Sequence, residues 1–206
     1  MKKKITITII CAVLSCVCLI GTTFAWLTAT TPTITNTFTV GNIQITLVET
    51  AGTGDATSRS FKMIPGATID KDPIVTVKPG SEACWLFVKI EETNNTFSDG
   101  TKKFVLYDTA EGWEQLVVDG TPVDGVYYRK VGTVGTTVAS DTPFSVLRND
   151  KITINKDATA YDLNNATGEK APKLSFTAYA IQQSGFDAAG KSDDQNAADA
   201  WKALNS

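Results

Sequence analysis

The sequence predicts an all-β protein: an antiparallel jelly-roll-like β-sandwich with a short C-terminal helix. Three observations carry this expectation. Apolar and polar residues alternate with a period of two along most of the chain, the pattern of half-buried strands. Turn pairs such as Asp119-Gly120 and Asn149-Asp150 separate these stretches at short intervals, as in sandwiches and barrels. Only the C-terminal tail changes to a helical period.

Residues 1–25 read as a secretory signal peptide. Met1-Lys2-Lys3-Lys4 is basic, residues 5–21 are apolar apart from Thr6, Thr8 and Ser15, and small residues Thr23 and Ala25 precede a cut between Ala25 and Trp26. The apolar run is shorter than the roughly 20 residues of a membrane span. An uncleaved anchor is the alternative, and Val13-Leu14-Ser15-Cys16 loosely resembles a lipobox.

Residues 26–40 form an uncharged N-terminal arm. Within it, residues 33–40 alternate threonine with Ile34, Asn36, Phe38 and Val40, which reads as a strand with one apolar face. Ile43, Ile45 and Leu47 line the next strand, and the small polar residues 51–60 read as a loop. Cys84, Leu86, Val88 and Ile90 line one face of a strong strand while Trp85 and Phe87 take the other, so both faces are expected to be covered.

Further strands are expected at residues 103–107, 113–118 and 126–131, with turns at Asp119-Gly120 and Asp124-Gly125. Two more flank Asn149-Asp150, at residues 144–147 and 151–155. Residues 161–171 read as loop. Residues 173–182 alternate Leu174, Phe176, Ala178 and Ala180 with Ser175, Thr177, Tyr179 and Ile181. Asp193 or Asp194 is placed to cap a helix that aligns Ala197, Trp201 and Leu204, with Ala198 beside them. The expected organisation is a signal peptide over 1–25, an arm and candidate donor strand over 26–40, and one sandwich domain over 41–206.

Composition narrows the function. The 206 residues include 19 basic and 22 acidic side chains and no histidine. A near-neutral balance argues against a nucleic-acid partner. Without histidine, Ser-His and Cys-His catalysis and histidine metal sites are excluded. Cleavage would remove three lysines and leave 16 basic against 22 acidic residues, a net charge of −6. It would also remove Cys11, Cys16 and Cys18, leaving Cys84 with no intramolecular disulfide partner and the character of a small buried hydrophobe.

The stretch Gly185-Phe186-Asp187-Ala188-Ala189-Gly190-Lys191-Ser192 fits the P-loop pattern formally. Asp193 and Asp194 would repel phosphates at the helix start, however, and the chain lacks alternating strands and helices. Glu91 and Glu92 are strand neighbours on opposite faces, so they read as solvated edge charges, not as a glycosidase pair. Lys102-Lys103 and Arg129-Lys130 read as ordinary surface charge. Trp85, Trp113, Tyr127, Tyr128 and Trp201 read as core more readily than as a sugar platform. No HExxH, cysteine-cluster or Ser-x-x-Lys motif occurs, so no catalytic, cofactor-binding or metal-binding residue is expected and the chain is not read as an enzyme. With neither an LPxTG signal nor an apolar C-terminal tail, the membrane is expected to be met only through the uncleaved signal peptide.

Five stretches together resemble the TasA/camelysin group of Gram-positive exported proteins. They are Gly21-Thr22-Thr23-Phe24-Ala25-Trp26-Leu27; Asn36-Thr37-Phe38-Thr39-Val40-Gly41-Asn42-Ile43-Gln44-Ile45; Lys62-Met63-Ile64-Pro65-Gly66 with Lys71-Asp72-Pro73; Val75-Thr76-Val77 through Gly80-Ser81-Glu82-Ala83-Cys84-Trp85-Leu86-Phe87-Val88-Lys89, similar to a clostridial branch; and Ala178-Tyr179-Ala180-Ile181-Gln182 through Gly185-Phe186 to Ala200-Trp201. The resemblance implies export with cleavage by a dedicated signal peptidase, SipW, and a sandwich that assembles into biofilm-matrix fibres. Some members are described as metalloproteases, an activity not carried over to a chain without histidine.

The physical mechanism expected is strand addition in trans. An unpaired sheet edge recruits strands. Trp26, Leu27, Ile34 and Phe38 of one copy would fill pockets on the next, each worth about 1.5–3 kcal/mol when fully buried. Repeated head to tail, such a contact yields a homopolymeric fibre. The partners expected are further copies of the chain, the signal peptidase during export, and an accessory matrix subunit. The alternative is that residues 32–40 pair within their own domain as an ordinary first strand. The rival function is a monomeric cell-surface adhesin or carbohydrate-binding module.

Overall fold

Alternation in one long strand organises the described part of the protein. The computed structural model describes residues 41–54, 59–97, 99–100 and 103–206. The expected signal peptide, the cut between Ala25 and Trp26, and the arm with Trp26, Leu27, Ile34 and Phe38 lie outside the described residues.

The strands are β1 (Ile45–Val48), β2 (Thr53–Gly54), β3 (Arg59–Ser60), β4 (Thr68–Asp70), β5 (Ile74–Val77), β6 (Cys84–Thr93), β7 (Val105–Leu106), β8 (Glu114–Val118), β9 (Thr121–Val131), β10 (Thr142–Ser145), β11 (Lys151–Ile154) and β12 (Lys173–Gln182). The α-helices are α1 (Ala160–Asn165) and α2 (Asp193–Leu204). Every strand pair is antiparallel. One layer is the four-stranded sheet β12-β6-β9-β8.

The other layer has two halves, β1-β5-β10 and β4-β11-β7. β4 runs into β5 and β10 into β11. The two segments pair with one another on both sides of a break, which is bridged by Val146 N–H to Pro73 O at 2.9 Å and Lys71 N–H to Asp150 O at 2.8 Å. The result is one broken layer facing the four-stranded one across the core. The break coincides with Arg148–Asp150, a 3₁₀ turn in which Asn149 and Asp150 take positive φ, as short polar residues can.

Alternation along β6 creates two cores. Cys84, Leu86, Val88 and Ile90 point between the layers, with Val75, Val77, Val146, Leu147, Ile152 and Ile154. Trp85 and Phe87 point the other way, to Leu116, Val126 and Tyr128 and to Ala197 and Ala200 of α2. The Trp201 ring packs 5.2 Å from Phe87 and 5.5 Å from Tyr179, centroid to centroid. Both faces of β6 are covered, as the sequence predicts, and its Trp85, Leu86 and Phe87 side chains are fully buried.

Several elements differ from expectation. Residues 51–60 include the β2–β3 ribbon. Arg59 holds it by donating to Glu49 O at 2.8 Å, and Asp72 accepts from Thr50 N–H at 2.9 Å and Ala51 N–H at 2.6 Å. Asp124-Gly125 is not a turn but lies inside β9, where Gly125 takes φ +65° against the Ile90 carbonyl. Residues 161–171 are not all loop: Thr159 and Asp162 form a capping box that starts α1, and Gly168–Lys170 makes a 3₁₀ turn. The cap of α2 is Ser192, not Asp193 or Asp194. Its hydroxyl accepts from Gln195 N–H while Gln195 Oε1 accepts from Ser192 N–H at 3.1 Å. Period two does not single out the short β4 and β5, which the structure adds.

Candidate functional site

Cys84 is fully buried in the inter-layer core, and burial pushes its thiol up to about 12, far from a reactive thiolate. Lys191 of the P-loop-like stretch pairs with Asp199 of α2, and Ser192 is engaged as the cap, so that stretch is the lead-in to a helix. The Tyr128 hydroxyl lies within hydrogen-bonding reach of both the Glu114 and the Asp194 carboxylates, tying β8, β9 and α2 together.

Glu91 and Glu92 behave differently from one another. Glu91 is exposed and pairs with Lys89 at 2.7 Å. Glu92 is not a solvated edge charge. It accepts from Lys103 Nζ at 2.7 Å, Tyr107 Oη at 2.7 Å and Asn95 Nδ2 at 2.9 Å. Burial pushes its carboxyl up, but these three bonds more than offset that and hold it below the usual carboxylate range. Burial and the Glu92 carboxylate push the Tyr107 hydroxyl well above its ordinary value. The cluster pins the 95–107 loop to the end of β6 and presents no free acid.

The Arg129-Lys130 pair also departs from expectation. Lys130 reaches Asp187 and Asp193, each at 3.2 Å, and joins the α2 lead-in to β9. Arg129 is not surface charge but points inward, between two aromatic rings. Period two placed it on the face of Tyr127 and Val131, a signal present in the sequence. Trp85, Trp113 and Tyr128 are core residues, with Tyr127 and Trp201 partly buried against it.

What remains as a site is backbone. β12 pairs with β6 over all ten residues, from Lys173 opposite Thr93 to Gln182 opposite Cys84. Among the described residues no strand lies on its other side. An edge strand turns half of its N–H and C=O groups outward. The opposite edge of the sheet, β8, is blunted: it is short, carries Glu114, and its register shifts between Gln115 and Val117. β12 has a single charge, Lys173, at its beginning, followed by the uncharged run 174–182.

β1 lies beside β12, with Cα atoms within 8 Å, yet β1 pairs only with β5. The two strands are neighbouring edges of different layers. The chain before β1 continues alongside the β5–β6 connection: Gln44 O accepts from Lys78 N–H at 2.8 Å and Asn42 O from Glu82 N–H at 2.9 Å. Residues 42–44 thus run along the β5–β6 connection before β1 begins. The site residues expected from sequence, Ala25, Trp26, Leu27, Ile34 and Phe38, are all outside the described residues, so the structure brings none of them together. Among the described residues the structure leaves the outer edge of β12 unpaired, a feature that the sequence reading did not identify.

Residues 1–78 match the model of a family described as camelysin metallo-endopeptidase, so the TasA/camelysin family is matched over that part of the chain. No curated protein and no solved structure matches the chain. The description implies a catalytic metal, and the donor set was tested for one. Among the described residues no group of three or more His, Cys, Asp or Glu is placed to hold a metal ion, and the sequence contains no histidine. These residues do not fit an HExxH-type centre, and no step is derived through one. Among the described residues no helix is long and apolar enough to cross a membrane.

Proposed function

We propose, taking the camelysin-family match over residues 1–78 as the premise, that this chain is a secreted structural protein of the extracellular matrix. It is one subunit of a fibre in which the arm of one copy, residues 26–40, adds as a strand to the sheet of the next. The observation that supports this reading most is the ten-residue edge of β12, on whose outer side no strand lies among the described residues. Such edges are liabilities that natural proteins usually cover or charge. An uncharged, threonine-rich segment with apolar anchors Trp26, Leu27, Ile34 and Phe38 is chemically suited to cover it.

Backbone hydrogen bonds would supply affinity, and the anchors would supply register. Cleavage between Ala25 and Trp26 by the signal peptidase releases the arm from the membrane and starts assembly. An accessory matrix subunit is a candidate starter. The chain acts by assembly and not by catalysis. Deleting residues 26–34 tests this: by negative-stain microscopy the mature protein forms filaments and the truncated one does not. Undiminished filaments from the truncated protein would overturn the reading.

A further inference from the structure

An arginine occupies a core-facing position of the four-stranded sheet. In the β6–β9 register Arg129 lies opposite Leu86 and shares its face with Tyr127 and Val131, all three of which belong to or pack on the core between the layers. Arg129 is partly buried, and the buried part of a guanidinium calls for an anion or acceptors. Among the described residues no ion pair holds it, and its buried Nε has no hydrogen-bond partner. Its guanidinium carbon sits 3.9 Å from the Phe144 ring centroid and 5.3 Å from that of Trp113. Trp113 is itself fixed by its indole N–H, which donates to Ser145 O at 2.8 Å. The two rings orient the fork without neutralising it.

A cleft of about 750 Å³ opens over this group, bounded also by Glu111, Phe144, Arg148 and Asn149. Arg148 meets Asp108 only at 3.8 Å, and both side chains are largely exposed. The lining therefore holds two guanidinium groups against one carboxylate, Glu111. We propose that this cleft binds the carboxylate of an acidic, uronate-type saccharide, with Arg129 as its bidentate partner, Arg148 as the second cation, and Asn149 and Glu111 taking sugar hydroxyls.

One uncompensated charge favours a monoanion over a phosphate dianion. The cleft falls in the range of about 300–1,000 Å³ typical of small-ligand sites. A single acidic side chain of a protein partner would leave most of it empty. The proposal rests on the reading of the chain as a matrix protein only for the choice of a saccharide, and it needs neither the arm nor the fibre.

The test is calorimetric titration of the purified mature protein with trigalacturonate, its methyl ester, inorganic phosphate and hexaglutamate. Trigalacturonate is expected to bind about tenfold or more tightly than the neutral ester. Arg129→Met should lose about the same factor while the thermal unfolding temperature holds, because an apolar side chain suits that position. Arg148→Gln, an exposed change that leaves folding intact, should weaken binding several-fold, and Glu111→Gln should tighten it. Equal binding of acid and ester, unchanged binding by both arginine variants, no binding at all, or preference for phosphate or hexaglutamate would each overturn the proposal. Binding without filaments would sink the fibre reading and leave the cleft standing, and filaments without binding would do the reverse.

Discussion

Replacing Gly125 by alanine tests the packing of β9 on β6 most sharply. Gly125 has φ +65°, and a Cβ there would lie 2.1 Å from the Ile90 carbonyl oxygen. The backbone conformation alone costs an L-residue about 1–2 kcal/mol. A carbon–oxygen contact needs about 3.3 Å, so β9 must move by about 1 Å. That shift falls beside the Val126–Lys89 and Tyr127–Val88 register pairs, whose ladder bonds are worth about 1 kcal/mol each.

The sum is about 3–4 kcal/mol, which for a chain of this length lowers the unfolding temperature by roughly 6–16 °C. Gly120→Ala is the control. It lies in the β8–β9 turn at φ +80° with nothing within 4 Å of a Cβ, so it carries only the backbone cost of about 1–2 kcal/mol. Thermal unfolding by circular dichroism on both variants reads the difference. Equal losses from the two would refute the close approach of β9 to Ile90 as the source of the glycine requirement.

Trp201→Ala removes the ring that bridges Phe87 and Tyr179. Because Trp201 is partly exposed, the loss should be about 2–3 kcal/mol, below the about 3–5 of a fully buried ring, and denaturant unfolding would measure it. Glu92 has a folded pKa below its ordinary value of 4.5, so it stabilises the fold above that value and loses its contribution as pH falls through the folded pKa. Glu92→Gln should therefore lower the unfolding temperature at pH 7 and flatten its fall between pH 4.5 and strongly acid solution. Thr177→Lys places a charge mid-way along the β12 edge; filament yield should drop while the unfolding temperature of the monomer stays within about 2 °C, as for other exposed changes. Cys84 should resist thiol reagents in the native protein and react at once in denaturant.

The strands most legible in the sequence are those whose alternation runs furthest, although turn pairs also located short ones such as β10 and β11 beside Asn149-Asp150. β6 and β12 are ten residues each and show it on both faces, and α2 shows its helical stripe through Ala197, Trp201 and Leu204. β4 is three residues long, too short for periodicity to separate from loop, whereas β5 has the same four residues' length as β1, β10 and β11 and was missed because its Ile74-Val75-Thr76-Val77 run is apolar at three of four positions and shows no clear alternation. α1 escaped because it is six residues long and its box uses Asp162 where Glu or Gln is the stronger signal. Asp124-Gly125 carries turn chemistry, yet the glycine serves a bulge-like approach to Ile90, which only the tertiary pairing reveals. Of the candidate site, the sequence offered a candidate donor arm, residues 26–40, by its lack of charge. It could not offer the edge proposed to receive it, because which strand ends a sheet is a property of sheet order.

The account's central claim is that residues 26–40 of one copy pair with β12 of another. Cysteine trapping tests it most directly. Thr37→Cys in one preparation and Ser175→Cys, Thr177→Cys or Tyr179→Cys in a second, scanning register along the edge, are mixed under assembly conditions and oxidised. The account predicts disulfides between the two preparations at one register, and none from a doubly substituted chain kept too dilute to assemble. A disulfide that forms within the dilute, doubly substituted chain, with none between the mixed preparations, would contradict it and return the arm to its own sheet.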